Sequence, residues 1–183
     1  SGTVATANQK VTGINVSSLD DGTLTLSVTL TDAYSNPGTP ATDTVTKDVV
    51  APSGYSAGID SCVYSGNQMS ASFTIYSAEV GATYNYLIDD TNYVTNFVIG
   101  TGTVATATHQ VGGIDLSGLD DDDLTLIVSL TDVAGNVGAD DTSGGTKDTG
   151  SPVGLTIFNV SAVTDTSATL EWSAASDMHW TVP

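Results

Sequence analysis

The stretch LTLSVTLTD, Leu24–Asp32, returns as LTLIVSLTD, Leu124–Asp132, 100 positions later in a chain of 183 residues. Within the first copy Leu24, Leu26, Val28 and Leu30 alternate with Thr25, Ser27, Thr29 and Thr31. Successive side chains of an extended backbone point to opposite faces, so a period of two predicts a strand with one buried face. Outside this segment the chain is rich in Thr, Val, Ser and Gly, with Gly or Asp clusters at short intervals and no long apolar run at helical spacing. That composition predicts an all-β chain of short strands.

The duplication reaches well beyond the quoted strand. GTVATA at Gly2–Ala7 recurs at Gly102–Ala107, and VTGINVSSLDDGTLTLSVTLTD answers VGGIDLSGLDDDDLTLIVSLTD. Both copies then run on to TKD and a proline. About half of roughly 50 aligned positions are identical. A period near 100 residues is too long for a solenoid unit and suits a whole sandwich domain. The proline-marked junctions KDVVAPSG (Lys47–Gly54) and KDTGSPVG (Lys147–Gly154) then bracket one complete unit. Inside it strands are expected near Tyr55–Asp60, Ala71–Ser77, Thr83–Asp89, Asn96–Ile99, Thr103–Val111 and Leu124–Leu130, with a last one leading into Thr146. The expected fold is all-β, with immunoglobulin-like β-sandwich repeats in tandem. One repeat, at 52–150, is complete with about seven strands, and two are partial. Residues 1–51 hold the closing strands of an earlier repeat, and 151–183 the opening strands of a later one.

The last segment is worded differently. LTIFNVSAVTDTSATLEWSAASD places Leu155, Ile157 and Val160 on one strand and Ala168, Leu170 and Trp172 on the next. It resembles the start of a fibronectin type III domain, whose TSATLxW second strand carries a buried tryptophan; here the domain would break off at Pro183. The complete unit and its partial predecessor resemble the tandem immunoglobulin-like repeats of large bacterial surface proteins and adhesins, through the LTLxVxLTDxxxN strand and turn and the TKDxxxP linker. The resemblance implies a long extracellular or cell-surface stalk. Its partners would be the neighbouring immunoglobulin-like and fibronectin-like domains of the same chain, with surface glycans or proteins bound through other domains.

Charge narrows the choice of partner. The chain has 21 acidic residues against three basic ones, Lys10, Lys47 and Lys147, for a formal net charge of −18. A nucleic-acid binder gains affinity by releasing counterions with Lys and Arg, and this chain would repel phosphate. Anionic membrane surfaces are disfavoured likewise. The single Cys62 allows no internal disulfide and is expected to be an ordinary turn or strand residue. No segment approaches the roughly 18 apolar residues of a membrane span, and neither a signal peptide nor an initiating Met is present, so an excerpt of a longer protein is expected.

In an immunoglobulin-like sandwich the turn between the last two strands lies at the end nearest the preceding domain. The loop before the penultimate strand lies at the other end. On that basis Asp20, Asp21, Asp48, Glu79, Asp132 and Asn136 are expected around the first junction. The second would gather Asp120, Asp121, Asp122, Asp123, Asp148 and Asp177. Carboxylates about 5 Å apart repel by ~1 kcal/mol in water. A divalent cation reverses that sign, and calcium accepts six to eight hard oxygen ligands in flexible geometry, so Ca²⁺ is the expected ion. The alternative is structural: aspartate is favoured in turns because it accepts hydrogen bonds from nearby amides, and an acidic surface keeps a protein soluble. No DxDxDG loop is present, and GGID at Gly112–Asp115 is an isolated fragment of a β-roll pattern.

Catalysis is not expected. His109 stands where the earlier copy has Gln9, so that position accepts an amide, and His179 lies near the terminus. The acidic clusters fall in repeated turns rather than around one cleft. The competing expectation is a carbohydrate-binding or accessory module of a secreted glycan-degrading enzyme. It would use Tyr84 and Tyr86 on one strand face with Tyr93 and Phe97 beside the next loop, although Trp172 and at least one of Tyr84 and Tyr86 should be core residues.

Overall fold

The structure is a computed structural model describing residues 2–91, 96–152 and 158–172, in which every regular element is a strand. Among the described residues no helix is long and apolar enough to cross a membrane. The chain divides into two compact units, Ser1–Val50 and Ala51–Pro183.

In the first unit β1 (Gly22–Val28) and β2 (Ala41–Lys47) form an antiparallel pair, with Leu24 opposite Val45 and Val28 opposite Ala41. Leu26, Val28 and Leu30 are 53%, 47% and 60% exposed.

The second unit holds β3 (Ser56–Ile59), β4 (Cys62–Val63), β5 (Ala71–Tyr76), β6 (Thr83–Asp90), β7 (Phe97–Thr103), β8 (His109–Ile114), β9 (Asp123–Thr131) and β10 (Asp141–Lys147). One sheet has the order β4-β10-β9-β6-β7 and the other β3-β5-β8. Their apolar faces make one core, in which Leu124, Leu126, Val128 and Leu130 of β9 join Phe73 and Ile75 of β5 and Ile88 of β6, all at most 1% exposed. Each large side chain so buried stabilises by ~1.5–3 kcal/mol relative to exposure. The all-β sandwich expected from the alternating pattern is therefore the observed fold. Beyond it, β11 (Phe158–Ser161) and β12 (Thr169–Trp172) pair antiparallel as a separate two-stranded sheet.

Two features differ from the sequence expectation. The strand expected at Tyr55–Asp60 is β3, which pairs with β5, but after Asp60 the chain crosses to the other sheet, where a further short strand, β4, runs parallel to β10. Asp60 holds the corner by accepting from the Ser72 amide and hydroxyl at 3.2 and 3.1 Å. The crossing passes close over Gly145, where a Cβ would lie 2.6 Å from the Asp60 carbonyl oxygen. The second difference is that β7 continues to Thr103 and β8 begins only at His109. Glycine in a strand interior lacks a side chain to pack, and Gly100 and Gly102 lie beneath the Tyr86 and Tyr84 rings, which supply that packing.

Candidate functional site

The acidic loops occupy opposite ends of the complete sandwich. At one end the β8–β9 loop meets the end of β10. The Lys147 ammonium, on a residue 3% exposed, donates to the Leu119 carbonyl at 2.7 Å and to Asp121 Oδ1 at 3.1 Å. Asp121 Oδ2 accepts from the Thr149 amide and hydroxyl at 2.9 and 2.8 Å. Asp148 is tied at the same place, its amide donating to the Val63 carbonyl and its carboxylate accepting from Gly150. Burial raises the Asp121 carboxyl, but the Thr149 donors and then the Lys147 ammonium outweigh that and hold it below the usual carboxylate range. The strand exit and the first linker residues are thus fixed to the loop by a carboxylate with saturated oxygens.

The first unit repeats this arrangement. Lys47 Nζ donates to the Leu19 carbonyl at 2.7 Å and to Asp21 Oδ1 at 2.9 Å, while Asp21 Oδ2 accepts from the Val49 amide at 3.0 Å. The Val49 amide and the Lys47 ammonium lower the Asp21 carboxyl. Asp48 accepts from the Val50 amide as Asp148 does from Gly150. Sequence reasoning treated both lysines as linker residues. Their signal was available, since two of the three basic residues in the chain stand at equivalent repeat positions beside LDD loops.

At the other end Asp132 closes β9. Its Oδ1 accepts from the Asn136 amide at 2.8 Å and its Oδ2 from Asn136 Nδ2 at 2.7 Å. Asp32 receives the same pair of bonds from Asn36 at 2.9 and 3.0 Å. The turn places Ser35 in one copy and Gly135 in the other at positive φ, 71° and 97°. Burial raises the Asp132 carboxyl, and the Asn136 side-chain and backbone bonds overcome it, so the net shift is downward. The aspartate that ends both copies of the opening stretch is a turn residue with its oxygens engaged.

The remaining expected ligands are placed as follows. Asp20 and Asp120 are exposed, and the Asp120 amide donates to Asp90 Oδ2 at 2.9 Å. Asp122 accepts from the Asp123 amide, and Asp123 accepts from the Thr146 hydroxyl at 3.1 Å. Glu79 is exposed, in the β5–β6 turn whose Gly81 faces Val133. Asp177 lies outside the described residues. Within the second unit, therefore, Asp120–Asp123 and Asp148 gather at one end, with Glu79, Asp132 and Asn136 at the other. Among the described residues no three His, Cys, Asp or Glu side chains come together as a metal-binding group. Asp21, Asp121 and Asp132 already accept hydrogen bonds on both carboxylate oxygens.

Tyr84 and Tyr86 face inward. Tyr84 is 9% exposed, and the Tyr84 and Tyr86 rings meet Phe73 edge-on at 6.5 and 5.0 Å. Phe97 is exposed, whereas Tyr93 and the Trp172 side chain lie outside the described set. His109 Nδ1 accepts from the Ala105 amide at 3.3 Å, the bond that Gln9 Oε1 makes with Ala5 at 2.8 Å in the earlier copy. Cys62 is exposed on β4.

No protein-family model matches the sequence, and the search of curated proteins returned no match. Among solved structures the chain is similar to the tetra-tandem repeat in the extending region of a large adhesion protein, at 24% identity and a TM-score of 0.47, over 75% of this chain and 34% of that one. It is also similar to the FN1–FN3 domains of chicken CNTN1, at 13% identity and a TM-score of 0.40, over 82% and 52% of the two chains. A third similarity is to a 1.5-MDa bacterial ice-binding adhesin, at 21% identity and a TM-score of 0.33, over 71% and 43%. The chain thus spans between about a third and half of the length of these structures.

Proposed function

We propose that this chain is a non-catalytic spacer or adhesive stalk segment of a large extracellular or cell-surface protein, holding other domains away from their anchor. One observation carries the reading. The same hairpin, the same aspartate-closed turn and the same lysine–aspartate clamp on the strand exit are built twice at a spacing of 100 residues. A structure duplicated in series, with its conserved chemistry spent on holding strand ends, suits transmission of position and force rather than turnover. The domain limits 1–51, 52–150 and 151–183 belong to this proposal, as does the bacterial immunoglobulin-like repeat class.

Calcium at the seams between successive modules is a separate element of the proposal, drawing on the exposed Asp20, Asp48, Asp120 and Glu79 together with their neighbours in sequence. With a typical extracellular affinity of ~0.1–1 mM, ~10 mM calcium adds roughly 1.4–2.7 kcal/mol by linkage. Melting the chain with and without calcium tests it; an unchanged curve rejects the ion and leaves the spacer reading intact. A glycan array tests the spacer reading itself. Saturable sugar binding lost on Phe97→Ala would overturn it, and silence across the array is the expected result.

A further inference from the structure

The start and the last strand of the complete sandwich run side by side in the same direction. The Tyr55 hydroxyl donates to the Ala139 carbonyl, the Ala57 amide to Asp141 Oδ2 at 2.7 Å and the Ile59 amide to Ser143 Oγ at 3.3 Å. Beyond the crossing at Asp60, the Ser61 carbonyl accepts from the Thr146 amide at 3.2 Å and the Val63 carbonyl from the Asp148 amide at 2.8 Å. Every second residue from Tyr55 to Val63 thus meets β10 or a residue flanking it. The meeting points advance together along both segments, as the parallel pairing of β4 with β10 requires. The two halves of this seam differ in kind. β4 is bonded to β10 through backbone, whereas β3 belongs to the other sheet, and Asp141 and Ser143 bridge to its amides with side chains.

We propose that this seam is the tension-bearing element of the complete sandwich, with the Asp141 and Ser143 side chains as two of its rungs. Chain direction carries the inference. The polypeptide enters beside the Tyr55 rung and leaves beside the Asp148 rung, at opposite ends of a parallel arrangement, so tension along the chain slides one segment past the other. Bonds loaded in that way share the force and yield together. Bonds pulled apart crosswise from one end yield one at a time. Peeling from the exit is opposed as well, since the residues on either side of Asp148, Lys147 and Thr149, both donate to Asp121 of the β8–β9 loop. The lifetime of the module under tension, which is an unfolding rate, is therefore set by rupture of the seam and not by the whole core. The stalk reading supplies the source of the tension, and the inference rests on it for that alone; the response of the seam to force belongs to the fold.

The test pulls the whole chain at constant force through cysteine handles at exposed positions, with the exposed Cys62 replaced by Cys62→Ser. Handles at Ser53→Cys and Ser151→Cys load the seam along its length. Handles at Ser53→Cys and Ala134→Cys lie at the Tyr55 end, where Tyr55 meets Leu130 and Ala139, and peel the first segment away. At equal force the lifetime along the seam should exceed the peeling lifetime at least about tenfold, as when two or more hydrogen bonds must yield at once. Asp141→Ala and Ser143→Ala should each shorten the lifetime along the seam about fivefold and change the peeling lifetime by less than about twofold. Thr101→Val removes the bond to the Tyr84 carbonyl at 2.8 Å, outside the seam, and should leave the lifetime along it within about twofold. Urea unfolding verifies that each variant is folded. Equal lifetimes in the two directions, rung variants that shorten both alike, or a Thr101→Val effect as large as theirs would each overturn the proposal while leaving the spacer role standing. Sugar binding on the array would remove that role and leave the seam measurable.

Discussion

Lys147 and Asp121 form an ion pair at 3.1 Å in which the lysine side chain is 4% exposed, whereas the equivalent Lys47 and Asp21 pair at 2.9 Å leaves its lysine 16% exposed. The two clamps are alike in bonding and unlike in burial. Removing one partner of a buried pair leaves the other charge and its acceptors without compensation, and the cost falls as water gains access. Lys147→Met should therefore lower the stability of the complete sandwich by about 2–4 kcal/mol, with the Leu119 carbonyl and the Asp121 carboxylate both losing their donor. Lys47→Met should leave that transition within about 0.5 kcal/mol. Urea unfolding of the two variants checks the contrast.

The turn aspartates give a pH dependence of known sign. Asp132 and Asp121 are held below their ordinary value of 3.8, so each binds its proton less readily folded than unfolded. Their contribution is complete above the unfolded value, and it is lost as the pH falls through the lower folded value. The stability advantage of the native chain over Asp132→Asn should be constant above about pH 5 and shrink from about pH 4 downward. Chemical denaturation of both proteins at a series of pH values measures it; a gap unchanged to about pH 2 would mean that the Asn136 bonds do not depend on charge.

Glycines in β7 should respond to substitution according to the ring above them. A Cβ on Gly100 would lie 2.5 Å from the Tyr86 ring, and one on Gly102 would meet the buried Tyr84 hydroxyl, whereas one on Gly118 would meet nothing within 4 Å. Gly102→Ala should cost about 1–3 kcal/mol through overpacking, since Tyr84 cannot swing into solvent. Gly100→Ala should cost less because Tyr86 is half-buried, and Gly118→Ala should be neutral within about 0.5 kcal/mol. Thermal melts of the three variants rank them.

Tyr55 joins the start of the sandwich to its last hairpin. Its hydroxyl accepts from the Leu130 amide at 3.3 Å and donates to the Ala139 carbonyl. Tyr55→Phe keeps the ring and removes both bonds, so a loss of about 1–2 kcal/mol is expected by urea unfolding.

His109 is used as an acceptor. His109→Gln should preserve the bond from the Ala105 amide, as Gln9 does for Ala5, and remain within about 0.5 kcal/mol of the native chain. His109→Ala should be the less stable of the two by up to about 1 kcal/mol. Equal stability of these variants would leave the shared Gln9–His109 bond without energetic weight.

Much of this architecture is carried by short-range pattern. Alternation in Leu124–Leu130 fixes a strand and its apolar face. The Asp-x-x-x-Asn spacing fixes the turn after it, because one carboxylate reaches both the amide and the side chain four residues on. The 100-residue repeat fixes the shared register, and residues close in sequence suffice for all three. The acidic loops were legible as strand ends for the same reason. The roles of Lys47 and Lys147 were not, because the bonds that define them span 26 and 28 residues.

What the sequence by itself determined was the local element and which side of it is apolar. Only the tertiary structure decided what covers that side: Leu126, Val128 and Leu130 are fully buried because Phe73 and Ile75 of the facing sheet pack in the same core. Hairpin geometry arises from bonds between adjacent strands, but burial needs a second sheet, and in the complete sandwich that sheet is β3-β5-β8. The same holds for the β7 glycines, over which the Tyr84 and Tyr86 rings of β6 pack, and for β4, which reaches the β10 edge because the chain crosses between the sheets after Asp60.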